Sequence, residues 1–229
     1  PLKQSGSYPL RNVPPDAHTR LRKDILLNAL LLLVISLFLS GFLSGCDPIR
    51  PKALVADTEF SLINQNNEPV VFPDAYAGNI VLISYVYTYC PDICPMITYN
   101  MRDVQRAFPN EDRLMLVSVS FDPERDTPEI LKKYADSYKL DLEHWDLLTG
   151  DPRVVKKLLD ATEIRTVKTP TTFLEGGEAF YFIDHTDKIS LIDADGFLRR
   201  NYSGSELDID QVVQDIQTLL AETTFHNTN

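Results

Sequence analysis

Apolar positions along this chain fall into two rhythms. Residues 79–87 (NIVLISYVY) and 114–121 (LMLVSVSF) are nearly continuous apolar, β-branched and aromatic runs. Runs of this kind suit central parallel strands covered on both faces. Between them Ile97, Met101, Val104 and Phe108 recur at helical spacing and predict a helix over 94–108. Strand, helix, strand is a βαβ unit, which crosses over right-handed. Upstream, residues 60–72 (FSLINQNNEPVVF) place two apolar stretches around a polar turn and predict a β-hairpin. Downstream, Thr127-Pro128 and Asp151-Pro152 each pair a capping residue with a proline suited to the first helical position. Residues 188–202 (KISLIDADGFLRRNY) predict a hairpin turning at Asp195-Gly196, and residues 208–220 (DIDQVVQDIQTLL) a closing amphipathic helix.

Residues 162–187 are longer than a plain connection requires. They contain TTFLEGGEAFYFI, which predicts an extra hairpin turning at Gly176-Gly177. The whole order describes an α/β chain: a thioredoxin-like three-layer α/β/α sandwich with an added N-terminal β-hairpin and an extra hairpin insertion. No internal repeat or low-complexity stretch interrupts it.

The N-terminal part has a different character. Residues 25–43 (ILLNALLLLVISLFLSGFL) form one apolar run preceded by Arg20, Arg22 and Lys23. A basic region before an apolar core is an export signal. Its 19 residues also approach the roughly 20 needed to span a bilayer. The run ends in LSGC, which resembles the lipobox of bacterial lipoproteins and would make Cys46 the lipid attachment site. An uncleaved transmembrane anchor is the alternative. Basic residues are denser before the run than after it, which orients the bulk of the chain outward. The expected divisions are 1–45 signal or membrane anchor, 46–56 tether, 57–223 folded domain and 224–229 C-terminal tail. The expected place is the bacterial cytoplasmic membrane, with the domain facing the periplasm.

Charge narrows the partners. The chain carries a formal −11, and residues 46–229 hold 17 Lys and Arg against 31 Asp and Glu, a net −14. That balance argues against nucleic acid and serves solubility. The hydrophobic share is 44%, enough for a sizeable core.

Only three cysteines occur, too few for a disulfide framework, so their placement speaks of chemistry. Cys90 and Cys94 lie in YTYCPDICPM (87–96), at the end of a predicted strand and the start of a predicted helix. A helix N-terminus favours thiolate, the form that attacks disulfides and binds metals. Cys94 falls on the buried stripe with Ile97 and Met101, so Cys90 is expected to be the more exposed sulfur. Cysteines four apart can share a metal ion, or close a disulfide after a small adjustment. A four-residue loop is too small for a useful structural staple. Two thiolates are soft ligands, and a third ligand would make a low-coordinate site suited to copper. Of the histidines, His18 and His226 lie near the ends, and His144 sits beside the only tryptophan. His185 stands just ahead of an apolar strand, where a thioredoxin-like sheet can bring it beside the dithiol.

YTYCPDICP, VSFDPERDTPEIL and IDHTDKISLIDADG together closely resemble the Sco/SenC family, over roughly residues 53–220. Its members are membrane-tethered, copper-binding thioredoxin-fold proteins that help assemble the binuclear copper centre of cytochrome c oxidase. The resemblance implies that Cys90, Cys94 and His185 bind copper, as Cu(I), Cu(II) or both. It implies two roles that can coexist. One is a copper chaperone serving the copper-bearing oxidase subunit. The other is a thiol–disulfide oxidoreductase reducing that subunit's cysteines, with Cys90 attacking and Cys94 resolving. An upstream periplasmic copper donor or thiol reductant is the further partner implied. Asp184 matches the family's Asp-His pair, as a metal contact, an outer-sphere partner or a structural residue. Asp92 either tunes the thiols, orients a partner or simply starts the helix. Asp122, Arg125 and Asp126 read as turn and cap, and Met96 and Met101 as core.

Overall fold

The computed structural model describes residues 53–54, 58–173, 175–176 and 179–226. The apolar run 25–43 and Cys46 lie outside the described residues. Among those described, no helix is long and apolar enough to cross a membrane.

Strands β1 (Ala53–Leu54), β2 (Phe60–Asn64), β3 (Pro69–Phe72) and β4 (Ile80–Val86) lead to helix α1 (Ile93–Ala107). There follow β5 (Leu114–Ser120), α2 (Pro128–Tyr138), β6 (Trp145–Thr149) and α3 (Pro152–Ala161). Four short strands come next: β7 (Thr166–Lys168), β8 (Thr172–Phe173), β9 (Ala179–Phe180) and β10 (Ile183–His185). The chain closes with β11 (Ile189–Ile192), β12 (Phe197–Tyr202) and α4 (Ile209–His226). The closing helix thus continues three residues past the expected boundary at 223.

One eight-stranded sheet runs β1-β12-β11-β4-β5-β6-β2-β3. β4, β5 and β6 are parallel, with Ile80 opposite Leu114 and Leu116 opposite Trp145. The other pairings in this sheet are antiparallel. Every residue of β4 is buried, which is what its uninterrupted apolar run requires of a strand covered on both faces. Its serine is paired: Ser84 Oγ lies 2.9 Å from Ser118 Oγ, and the Trp145 indole N–H donates to Ser118 Oγ at 3.0 Å. An unpartnered hydroxyl there would cost about 1–3 kcal/mol.

The helices flank this sheet. α1 packs against α4, and against α2 through Thr98–Tyr134 and Tyr99–Tyr138. Thr127 caps α2 by accepting from the Ile130 N–H, and Asp151 caps α3 by accepting from Arg153, each with proline following. The predicted hairpin of 60–72 is β2 and β3, added to the sheet through β6. The hairpin of 188–202 turns at Gly196, whose φ of +82° suits glycine.

The insertion is larger than predicted. β8 pairs with β9 and β7 with β10, both antiparallel and both outside the main sheet. Together they make one arm running from Thr166 to His185, bridged midway where the Thr169 N–H donates to the Phe182 carbonyl at 2.9 Å. Gly176 has a φ of +117° in the turn; Gly177 lies outside the described residues.

Candidate metal centre

Parallel pairing of β4 with β5 brings two loops together at the carboxyl end of the sheet. One is Tyr87–Asp92, leading into α1. The other is Phe121–Thr127, leading into α2. Asp126, fully buried, ties them. Its carboxylate accepts the Thr88 hydroxyl at 2.5 Å, the Thr88 N–H at 3.1 Å and the Ser120 hydroxyl at 2.6 Å. Burial pushes this carboxyl up, and the three donors act against that rise. Thr127 is the cap of α2, so Asp126 is an anchor for the cysteine loop rather than a cap.

Cys90 is half-buried and Cys94 fully buried, the order expected from the helical stripe. Asp92 is exposed at the N-cap position but its side chain makes no capping bond. Cys90 Sγ takes that place, accepting the Cys94 N–H at 3.4 Å. The Cys90 thiol is pulled down to about 3 by the hydrogen bond from Cys94, with His185 and the backbone of Cys94 and Asp92 adding to it against burial. Cys94 is pushed up by the same pairing and by burial. The pairing thus favours the thiolate on Cys90 and the protonated thiol on Cys94.

His185 ends β10. Its Nδ1 lies 3.0 Å from the Thr186 carbonyl, which leaves Nε2 facing Cys94 Sγ at 3.6 Å. The ring packs on Phe121, with centroids 4.6 Å apart. Burial lowers its proton affinity; hydrogen bonds to Cys90 and Thr186 more than restore it, leaving it raised. The two sulfurs and the imidazole nitrogen all lie within 4.8 Å of one another, and no other such cluster occurs among the described residues. Two soft sulfurs and one imidazole form a donor set that fits a soft, low-coordinate metal ion.

The other sequence candidates fall elsewhere. Asp184 is exposed, and strand alternation turns it to the face opposite Ile183 and His185. His144 stands 3.7 Å from Asp112, away from the cluster. Met101 is core at 0% exposure, but Met96 is 45% exposed and is not core. Position 96 is adjacent to Ile97 and falls off the buried stripe. Asp122 is buried and accepts the Tyr181 hydroxyl at 2.8 Å as well as Arg125. Arg125 lies over Tyr181 at 3.6 Å and Tyr89 at 4.6 Å. Neither tyrosine stood out in the sequence. The signal that would have found Tyr181 is the need of a buried carboxylate for donors.

A thioredoxin-like sandwich bearing a Cys-Cys-His cluster defines a class of thiol and metal proteins. The SCO1/SenC family profile matches residues 50–221, and the chain belongs to that family. A SCO1 protein homolog of Bacillus subtilis is 29% identical over 161 residues, covering 69% of this chain and 80% of the relative. The structure of Bradyrhizobium japonicum ScoI with copper bound has a TM-score of 0.61 and 30% identity, covering 71% of this chain and 98% of that one. A SCO1/SenC family lipoprotein from Bacillus anthracis has a TM-score of 0.60 at 27% identity, covering 71% and 94%. BsSco, described as a Sco-family cytochrome c oxidase assembly protein with a disulfide switch, has a TM-score of 0.59 at 28% identity, covering 74% and 95%.

Proposed function

We propose that this protein is a membrane-tethered periplasmic copper chaperone that carries copper on Cys90, Cys94 and His185 to the copper-bearing subunit of cytochrome c oxidase. The observation that carries this reading is the convergence of those three donors within 4.8 Å. A thiolate at Cys90 is ready to ligate without first losing a proton, and Cys94 ionises when the ion replaces the proton between the sulfurs. Copper is the cargo, and it leaves by ligand exchange with the acceptor's cysteines. Half-exposure of Cys90 favours such exchange. Copper bound to the Bradyrhizobium relative and the assembly role stated for BsSco support the same reading. The tether is either a lipidated Cys46 or the apolar run at 25–43, and the lipoprotein nature of the Bacillus anthracis relative favours the first.

A second role is favoured by the asymmetry of the two thiols. Cys90 thiolate attacks an acceptor disulfide, forming a mixed disulfide and releasing one acceptor thiolate. Cys94, losing its proton, attacks Cys90 Sγ and releases the second. Two electrons pass to the acceptor, and Cys90–Cys94 is left as a disulfide.

A Cu(I) titration of the full chain in detergent tests the first role, with Cys90→Ser, Cys94→Ser and His185→Ala alongside. One tight equivalent in the parent, lost or weakened in each variant, is expected. Absence of tight binding by the reduced parent overturns the chaperone reading. Failure of the reduced parent to reduce an oxidised two-cysteine acceptor peptide removes the second.

A further inference from the structure

Tyr87 touches both cysteines of the cluster and reaches His185 through Ile183 and Phe121. Its carbonyl accepts the Cys90 N–H at 3.3 Å, and its backbone also hydrogen-bonds the Cys94 thiol. Its hydroxyl accepts the Ile183 N–H at 3.2 Å, two residues before His185. The residue is 2% exposed. Its ring packs on Phe121, centroids 5.1 Å apart, and Phe121 carries the His185 ring. The cysteines belong to the β4–α1 loop, whereas His185 belongs to an arm that shares no ladder with the main sheet. Within β10, the Ile183 N–H points toward the cysteine loop, and the Tyr87 hydroxyl is its partner.

The geometry points to Tyr87 as a positioning residue, whose hydroxyl holds β10 so that His185 Nε2 faces the two sulfurs. A phenylalanine would fill the same space and keep the Phe121 contact but would leave the Ile183 N–H buried without an acceptor. The role is therefore assigned to one oxygen atom rather than to the bulk of the ring. The copper arm of the test rests on the chaperone reading; the metal-free arm does not.

The test compares the full chain with Tyr87→Phe and His185→Ala in detergent. Tyr76→Phe serves as control, because it removes another buried hydroxyl, one bonded to Asp146 at 2.8 Å rather than to the arm. In the reduced, metal-free protein, Tyr87→Phe is expected to speed amide exchange at Ile183 about 3- to 10-fold and to shift the His185 ring resonances. With copper, its affinity is expected to fall about 10-fold, as for loss of an outer-sphere partner. Tyr76→Phe should alter neither. If Tyr87→Phe matches the parent in Ile183 exchange, ring resonances and affinity while His185→Ala loses affinity, the positioning role is wrong and the chaperone reading stands. If the parent and His185→Ala bind copper alike, the chaperone reading fails. The metal-free measurements then decide for Tyr87: a change supports the role and no change overturns it.

Discussion

Cys94 Sγ and His185 Nε2, 91 residues apart in the chain, stand 3.6 Å from each other. Nothing in the main sheet's ladders requires this meeting, so removing the imidazole should separate copper binding from folding. His185→Ala is expected to lower copper affinity by more than the roughly 10–100-fold that an outer-sphere loss costs. Its thermal midpoint should stay within a few degrees of the parent's, because the side chain is only half-buried. Isothermal titration and calorimetry on the same samples check both halves.

Alkylation should report the charge on Cys90. An ordinary thiol near 8.5 loses thiolate tenfold for every pH unit below that value. Cys90, held near 3, keeps its thiolate across that range, so its iodoacetamide rate should stay nearly flat from pH 8 down to about 5. The rate should fall only as the pH approaches 3. Cys94 should resist labelling in the folded chain, being both protonated and buried. Mass mapping of the modified peptide distinguishes the two sulfurs, and a rate that drops tenfold per unit from pH 8 would contradict a thiolate at Cys90.

Asp126 accepts three hydrogen bonds that hold the cysteine loop. Asp126→Ala would leave the Thr88 N–H, the Thr88 hydroxyl and the Ser120 hydroxyl without their acceptor. A loss of about 2–5 kcal/mol in denaturant unfolding is expected, with weakened copper binding as the cysteine loop slackens. Asp126→Asn keeps one of the two acceptor oxygens and should cost less than Asp126→Ala.

The Gly204 backbone passes close to α1. A Cβ there would lie 2.7 Å from Asp187 Oδ1 and 2.9 Å from Ile97 Cγ1. Asp187 is already committed to the Ser205 N–H at 2.9 Å and the Ser205 hydroxyl at 2.6 Å, so it gives way only by breaking those bonds. Gly204→Ala should cost about 1–3 kcal/mol of stability, read from the unfolding midpoint, while the cysteine alkylation profile stays unchanged.

Much of this arrangement was legible in the chain because it is local. The order of strands and helices follows apolar rhythm, and the exposure of Cys90 against the burial of Cys94 follows the stripe through Ile97 and Met101. Thr127 and Asp151 announced their helices through the prolines beside them. What escaped was non-local. Asp126 looked like part of a cap because its partners, Thr88 and Ser120, are assembled only when β4 and β5 pair. The arm carrying His185 was half visible, as a hairpin about Gly176. Its outer strand pair was not, because β7 is exposed throughout and β10 is only three residues long, too short to display a period. Met96 was read as core although its position, one before Ile97, already lay off the buried face.

The arm of β7 and β10 gives the site a division of labour between rigidity and release. Two of the three candidate donors, half-buried Cys90 and buried Cys94, sit where β4 leads into α1. The third rides on a two-stranded ribbon joined to that core by a few side-chain contacts. Moving the imidazole breaks no ladder of the eight-stranded sheet, so the third donor can shift without disturbing the main sheet's pairing. Under the proposed chaperone role, an acceptor's first exchange would be with the imidazole, while the scaffold that presents the sulfurs stays intact.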